Sequence, residues 1–83
     1  MFKWVVLDVE PKEDFTLLLT FARGKKRVFD CKKYLFDDDY AKPLQDINLF
    51  MKAKADHHTV MWTDEIDVSP EYLYENSVKV KKS

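Results

Sequence analysis

One cysteine, one glycine and three prolines stand among 83 residues, and each scarcity removes a class of protein. A lone Cys31 can neither close an internal disulfide nor share a metal with a second thiolate, so a reducing cytoplasmic compartment is expected. With Gly24 as its sole glycine, the chain holds no glycine-rich phosphate loop. No apolar run approaches the roughly 20 residues of a membrane span, and Met1 to Glu10 lacks the apolar stretch and small-residue cleavage site of an export signal. Neither export nor membrane insertion is expected. An excess of one charge is missing too: 14 Lys and Arg face 15 Asp and Glu, for a net charge of −1. Nucleic-acid binders usually carry a basic excess, because their affinity comes largely from counterions released at phosphates. A chain this short buries only roughly 60 to 65% of its unfolded surface, which leaves little room for a deep catalytic cleft. A non-catalytic domain is the expectation.

The charge that is present is unevenly placed. Arg23, Lys25, Lys26, Arg27, Lys32 and Lys33 against Asp30 alone give residues 23–33 a local sum of +5. Residues 64–75, with Asp64, Glu65, Asp67, Glu71 and Glu75 and no base, sum to −5. Such a dipolar chain fits complementarity with a partner or a second copy, and equally fits two solvated faces.

Alternation marks the first half as strands. Lys3 to Glu10 places Val5, Leu7 and Val9 on one face and Trp4 and Val6 on the other, as expected of a central strand. Phe15, Leu17, Leu19 and Phe21 form the core face of a second strand. Gly24 then marks a three- or four-residue hairpin loop leading into Lys25 to Asp30. The two loop lengths differ by one residue in register, and both stay open. Lys32 to Leu35 is long enough for one turn, and Asp37 to Asp39 reads as a loop. Asp46 caps a short helix from Ile47 to about Lys52, and Thr59 to Trp62 and Glu65 to Val68 are extended. Ser69 at the cap, Pro70 at the first helical position and Glu71 in the positive first turn predict a helix from Pro70 to about Asn76. Val68 and Leu73 form its hydrophobic staple. The basic tail, residues 77–83, alternates Val and Lys and is either a frayed end or a late edge strand. The expected core is Val5, Leu7, Leu17, Leu19, Phe21, Val28, Phe50, Val60 and Leu73. Together these make an α+β domain over residues 1–76, a small antiparallel sheet with a β-hairpin and two short helices.

Chemistry-bearing residues are sparse. His57 and His58 are adjacent, and neighbours in a strand point to opposite faces, so a shared metal would need a turn and further ligands such as Asp56. A polar turn suits them better. Asp37 to Asp39 lacks the spacing, glycine and bidentate glutamate of a calcium loop. Cys31 stands among bases that lower a thiol pKa when it is exposed, or it is a small core residue. No catalytic residue, metal or cofactor follows. Twelve aromatics are many for so small a core: either they supply area to it, or some anchor an interface. The candidate interaction residues are Arg23, Lys25, Lys26 and Arg27 of the basic run, with Tyr34, Trp62 and Tyr74.

The ordered segments LLLTFARGKKRVFDCKKYL, KPLQDINLF and VMWTDEIDVSPEYLY resemble the small bacterial proteins grouped as domain of unknown function 2442. The resemblance runs through Leu19, Phe21, Gly24, Val28, Phe29, Asp30, Tyr34, Leu35, Pro43, Leu44, Leu49, Phe50, Trp62, Asp67, Pro70, Leu73 and Tyr74, over roughly residues 4–74. Members often carry Pro-Asn-Gly after the tryptophan, where this chain has Thr63, Asp64 and Glu65. The resemblance implies a small α+β domain without an established activity. Some members resemble the N-terminal half of proteins that end in a helix-turn-helix, and others are encoded beside another small protein, which implies a regulatory, antitoxin-like module. This chain has no room for a helix-turn-helix, so regulation is expected to act through a protein partner or a homodimer. The alternative is an accessory protein that contacts nucleic acid through the basic hairpin 23–33, helped by Lys79, Lys81 and Lys82, with no specific DNA or RNA binding expected of the isolated chain.

Overall fold

A computed structural model describes residues 5–56, 58–63 and 66–80. Trp4, His57, Asp64, Glu65, Lys81, Lys82 and the Tyr40 side chain lie outside that set. Among the described residues, seven strands form two antiparallel sheets. The first has the order β1-β2-β3-β7: β1 (Val6–Pro11), β2 (Thr16–Phe21), β3 (Lys26–Asp30) and β7 (Val78–Lys79). The second has the order β4-β5-β6: β4 (Lys54–Asp56), β5 (Thr59–Thr63) and β6 (Ile66–Val68). Three short helices, α1 (Cys31–Tyr34), α2 (Ile47–Phe50) and α3 (Pro70–Asn76), complete an α+β fold. Among the described residues, no helix is long and apolar enough to cross a membrane.

The first strand corrects the alternation. Val6 and Val9 are buried, whereas Leu7 is 57% exposed and Val5 half-buried. The register moves from Val6↔Phe21 to Asp8↔Thr20, so β1 advances two residues while β2 advances one. This bulge makes Leu7 the surplus residue and lets two positions of opposite parity both face inward. β1 is also an edge of its sheet rather than a central strand, and its Val6 amide donates to the His58 carbonyl at 3.0 Å, tying the two sheets together.

Both hairpins of the first sheet close through left-handed residues. The Phe21 amide donates to the Lys25 carbonyl at 2.7 Å, so the loop is the three-residue stretch Ala22–Gly24, with Arg23 at φ 70° and Gly24 at φ 75°. That register pairs Leu17 with Phe29 and Leu19 with Arg27. Phe29 therefore enters the core, and Val28, opposite Leu18, stays half-buried on the other face. Phe15 adopts φ 65° where a turn usually places glycine, a strain of about 1 kcal/mol or more. Edge-to-face packing on Phe36 and Phe50, at 5.2 and 5.1 Å between centroids, holds it there. Asp14 completes the turn by accepting from the Thr16 hydroxyl and amide at 2.6 and 3.2 Å, and this hydrogen bonding holds its carboxyl below the usual range.

Capping fixes the helices. Asp30 accepts from the Lys33 amide, Asp46 from Asn48 and Ser69 from Tyr72, at 3.3, 3.0 and 3.2 Å. A 3-10 stretch, Asp39–Gln45, follows the acidic loop, and its threefold period puts the buried Ala41 and Leu44 on one side. Of the two readings for the tail, the edge strand is the one observed: Val78 pairs with Val28 and Lys79 with Arg27.

Leu19 is fully buried, so Leu19→Ala is expected to cost about 2 to 5 kcal/mol, whereas Leu7→Ala should cost less than about 0.5 kcal/mol. Equal denaturation midpoints for the two variants would contradict the bulge. A Cβ at Gly24 meets nothing within 4 Å, so Gly24→Val should lower stability by about 1 to 2 kcal/mol through its positive φ alone. Gly24→Asn should recover most of that loss in the same thermal melt, since asparagine tolerates the left-handed region.

Candidate interaction surface

The hairpin tip and the body of β3 use their bases differently. Arg23, Lys25 and Lys26 are exposed around the Ala22–Gly24 loop. Arg27 is turned inward. Its Nε donates to Ser77 Oγ at 2.7 Å and its Nη2 to the Ser77 carbonyl at 2.6 Å, while the guanidinium lies 4.6 Å from the centre of the Tyr74 ring. Ser77 is buried, and its hydroxyl donates in turn to the Tyr74 carbonyl at 3.1 Å. α3 carries no base in its own last turn, so Arg27 supplies the cation that its carbonyl end favours. Fifty residues separate Arg27 from Ser77, and no local pattern announces the pairing.

The three aromatic candidates also part company. Trp62 is only 5% exposed, and its indole N–H donates to the Phe50 carbonyl at 2.9 Å; it is a core residue, unavailable as an anchor. Tyr34 and Tyr74 are half-buried. Tyr34 stacks on Phe29 at 5.5 Å, and Tyr74 meets Phe21 edge-to-face at 5.1 Å. Among the described aromatics, Phe21, Phe29, Phe50 and Trp62 are buried, and Phe15, Tyr34, Phe36 and Tyr74 pack half-buried against the core, in runs such as Phe36–Phe15–Phe50–Trp62.

Two surface features remain. At the β7 edge, Val78 and Val80 are 69% and 44% exposed, beside the exposed Lys26 and Lys79. Across the sheet from Val78, Val28 and Leu18 continue an apolar row on the outer face. The Val-Lys alternation of the tail signals this edge in the sequence, whereas the continuation of the row through Val28 and Leu18 depends on the strand register and has no local signal. The second feature is a cavity of about 240 Å³ lined by Leu35, Asp38, Asp67, Val68, Ser69 and Tyr72. The Tyr72 hydroxyl donates to the Tyr34 carbonyl at 3.1 Å, and burial, followed by the Asp38 charge, pushes its pKa up. No group of three or more His, Cys, Asp or Glu able to hold a metal occurs among the described residues.

His58, at φ 69°, belongs to the turn between β4 and β5 and is exposed. Cys31 is the small core residue of the two readings: it is fully buried, and burial, reinforced by Asp30, pushes its thiol up to about 12. The thiol should resist a maleimide at neutral pH and react only through opening of the fold, so labelling should accelerate in parallel with unfolding by urea. Rapid labelling of the native chain would contradict that burial. Because the folded pKa is raised from about 9.0, this contribution to stability is complete below pH 9 and is lost as pH rises toward 12.

The family model described as "Protein of unknown function (DUF2442)" matches residues 6–79. Neither curated proteins nor solved structures give a match. The matched span runs from the first residue of β1 to the last of β7 and takes in both sheets, all three helices and the Arg27–Ser77 clamp. The chain therefore belongs to the DUF2442 family.

Proposed function

We propose that this protein is a non-catalytic protein-interaction module, regulatory and antitoxin-like in type, whose partner docks at the β7 side of the four-stranded sheet. One observation carries the reading: two exposed valines, Val78 and Val80, sit at a sheet edge bordered by Lys26 and Lys79. Exposed apolar residues that continue a half-buried row, here Leu18 and Val28, and are rimmed by charge have the make-up of an interface core with its polar rim. The compartment in which this happens is expected to be the cytoplasm.

A second reading rests on Arg23, Lys25 and Lys26, three exposed bases around one hairpin tip that would suit phosphates. Arg27 does not join them, because its guanidinium is committed to Ser77 and Tyr74. Three phosphate contacts correspond to a slope of only about −2.7 in log affinity against log salt. Specific DNA or RNA binding by the isolated chain is not expected.

Native mass spectrometry of the chain purified from cells that make it tests the first reading. The expected result is a complex of fixed stoichiometry that Val78→Asp abolishes while the melting temperature stays unchanged, since Val78 is exposed. A chain that runs alone would sink this reading. If it also bound duplex at roughly 150 mM salt, and lost that binding on Arg23→Glu with Lys25→Glu and Lys26→Glu, the second would replace it.

A further inference from the structure

The geometry points to strand addition at β7: an extended acidic segment of the partner pairs with the outward backbone groups of Lys79. This inference rests on the interaction reading above and names the chemistry of its partner.

The ladder decides which groups are open. Val78 pairs with Val28, Lys79 pairs with Arg27, and the Val80 amide donates to the Lys26 carbonyl at 3.2 Å. Hydrogen-bonded and non-bonded pairs alternate along an antiparallel ladder, so residues 78 and 80 turn their backbone groups toward β3. The N–H and C=O of Lys79 therefore point away from β3, to the side on which no strand lies among the described residues. An incoming strand finds one donor and one acceptor there, with Val78 and Val80 on the outer face and Lys79 on the opposite face.

Other edges are blunted in ways that β7 is not. β1 carries the Leu7 bulge, ends on Pro11 and spends its Val6 amide on His58. The β5–β6 ladder is bulged between Met61 and Thr63, and β4 packs beside β1. Bulges and proline are the usual protection of an edge. β7 keeps a regular register and relies on lysine alone.

Charge selects the occupant. Two copies paired through β7 would bring their Lys79 side chains together, and like charges across a ladder are destabilising. A strand that alternates acidic and apolar residues has the opposite fit. Its acids meet Lys79 on one face, and its apolar side chains meet Val78 and Val80 on the other.

The probe is a synthetic peptide of alternating valine and glutamate, titrated into the ¹⁵N-labelled chain. Saturation should slow exchange of the Lys79 amide by about tenfold or more and leave the already bonded Val80 amide little changed. A valine-lysine peptide should not bind. Lys79→Pro removes the outward donor without breaking a bond to β3, and should weaken the peptide by about tenfold at an unchanged melting temperature. Lys79→Ala keeps the donor and should cost only a few-fold, with a shallower salt dependence. An unperturbed Lys79 amide at saturation, or Lys79→Pro binding as tightly as the parent, overturns strand addition. If the native complex still depends on Val78 while its Lys79 amide exchanges freely, strand addition falls and the interaction module stands. A native complex that Val78→Asp leaves intact removes both, and a complex of two identical chains overturns the acidic-segment assignment.

Discussion

The end of α3 and the start of β7 are held to β3 through the guanidinium of Arg27. Its place on the core side of β3 follows from the three-residue hairpin loop, which sets Arg27 opposite Leu19 and Phe29 opposite Leu17. A charged group on that side needs partners, and the chain supplies them from 50 residues downstream in Ser77 and the Tyr74 ring. Charge-assisted hydrogen bonds to the Ser77 hydroxyl and carbonyl dock the end of α3. The next residue, Val78, then begins the edge strand. Loop length, the inward arginine and the presence of β7 are thus one linked arrangement.

The elements most legible in the sequence are those whose signals are local. α3 was readable from Ser69, Pro70 and Glu71, because caps and first-turn residues act within three or four positions. The core face of β2 was readable because Leu17, Leu19 and Phe21 alternate without interruption, and all three are fully buried. The face of β1 was not. A bulge depends on the partner strand, and nothing in Lys3 to Glu10 distinguishes an exposed Leu7 from a buried Val6. Val28 misled for a related reason: by hydropathy it belongs inside and Arg27 outside, yet the register places Phe29 and Arg27 on the inner side. The missed β4 holds Lys54, Ala55 and Asp56, none of them a strong strand former. Of the candidate interaction residues, Trp62 lies deepest, and its place in the core was not legible because it involves the Phe50 carbonyl twelve residues away.

The thin core also explains the aromatic composition. With few residues to bury, each buried one must remove a large area, and phenylalanine and tryptophan do so with fewer rotatable bonds than aliphatic pairs. Phe15 shows how far this goes. A left-handed aromatic is tolerated because its ring joins Phe36 to Phe50 across the fold. Interior use of these rings leaves the outer face of the sheet to aliphatic side chains. Leu18, Val28 and Val78, rather than aromatic anchors, give that face its apolar character.

Opposite charge runs do not by themselves make a long-range recognition device here. The ion pairs Lys12–Glu10 and Lys42–Asp39 join near neighbours, and among the described residues neither links the basic run to the acidic one. Yet the runs lie close: α3, with the exposed Glu71 and Glu75, packs on β3 in a molecule of 31 × 29 × 19 Å. Beyond a Debye length of roughly 8 to 10 Å their fields largely cancel, so steering of a distant partner is weak. On the interaction reading proposed above, a partner is selected at contact, where Lys26 and Lys79 beside two exposed valines present a definite pattern. A backbone donor and acceptor at a sheet edge fix the direction and register of whatever pairs with them. For a domain that is nearly neutral as a whole, such short-range order is the physical basis on which the proposed module would tell one partner from another.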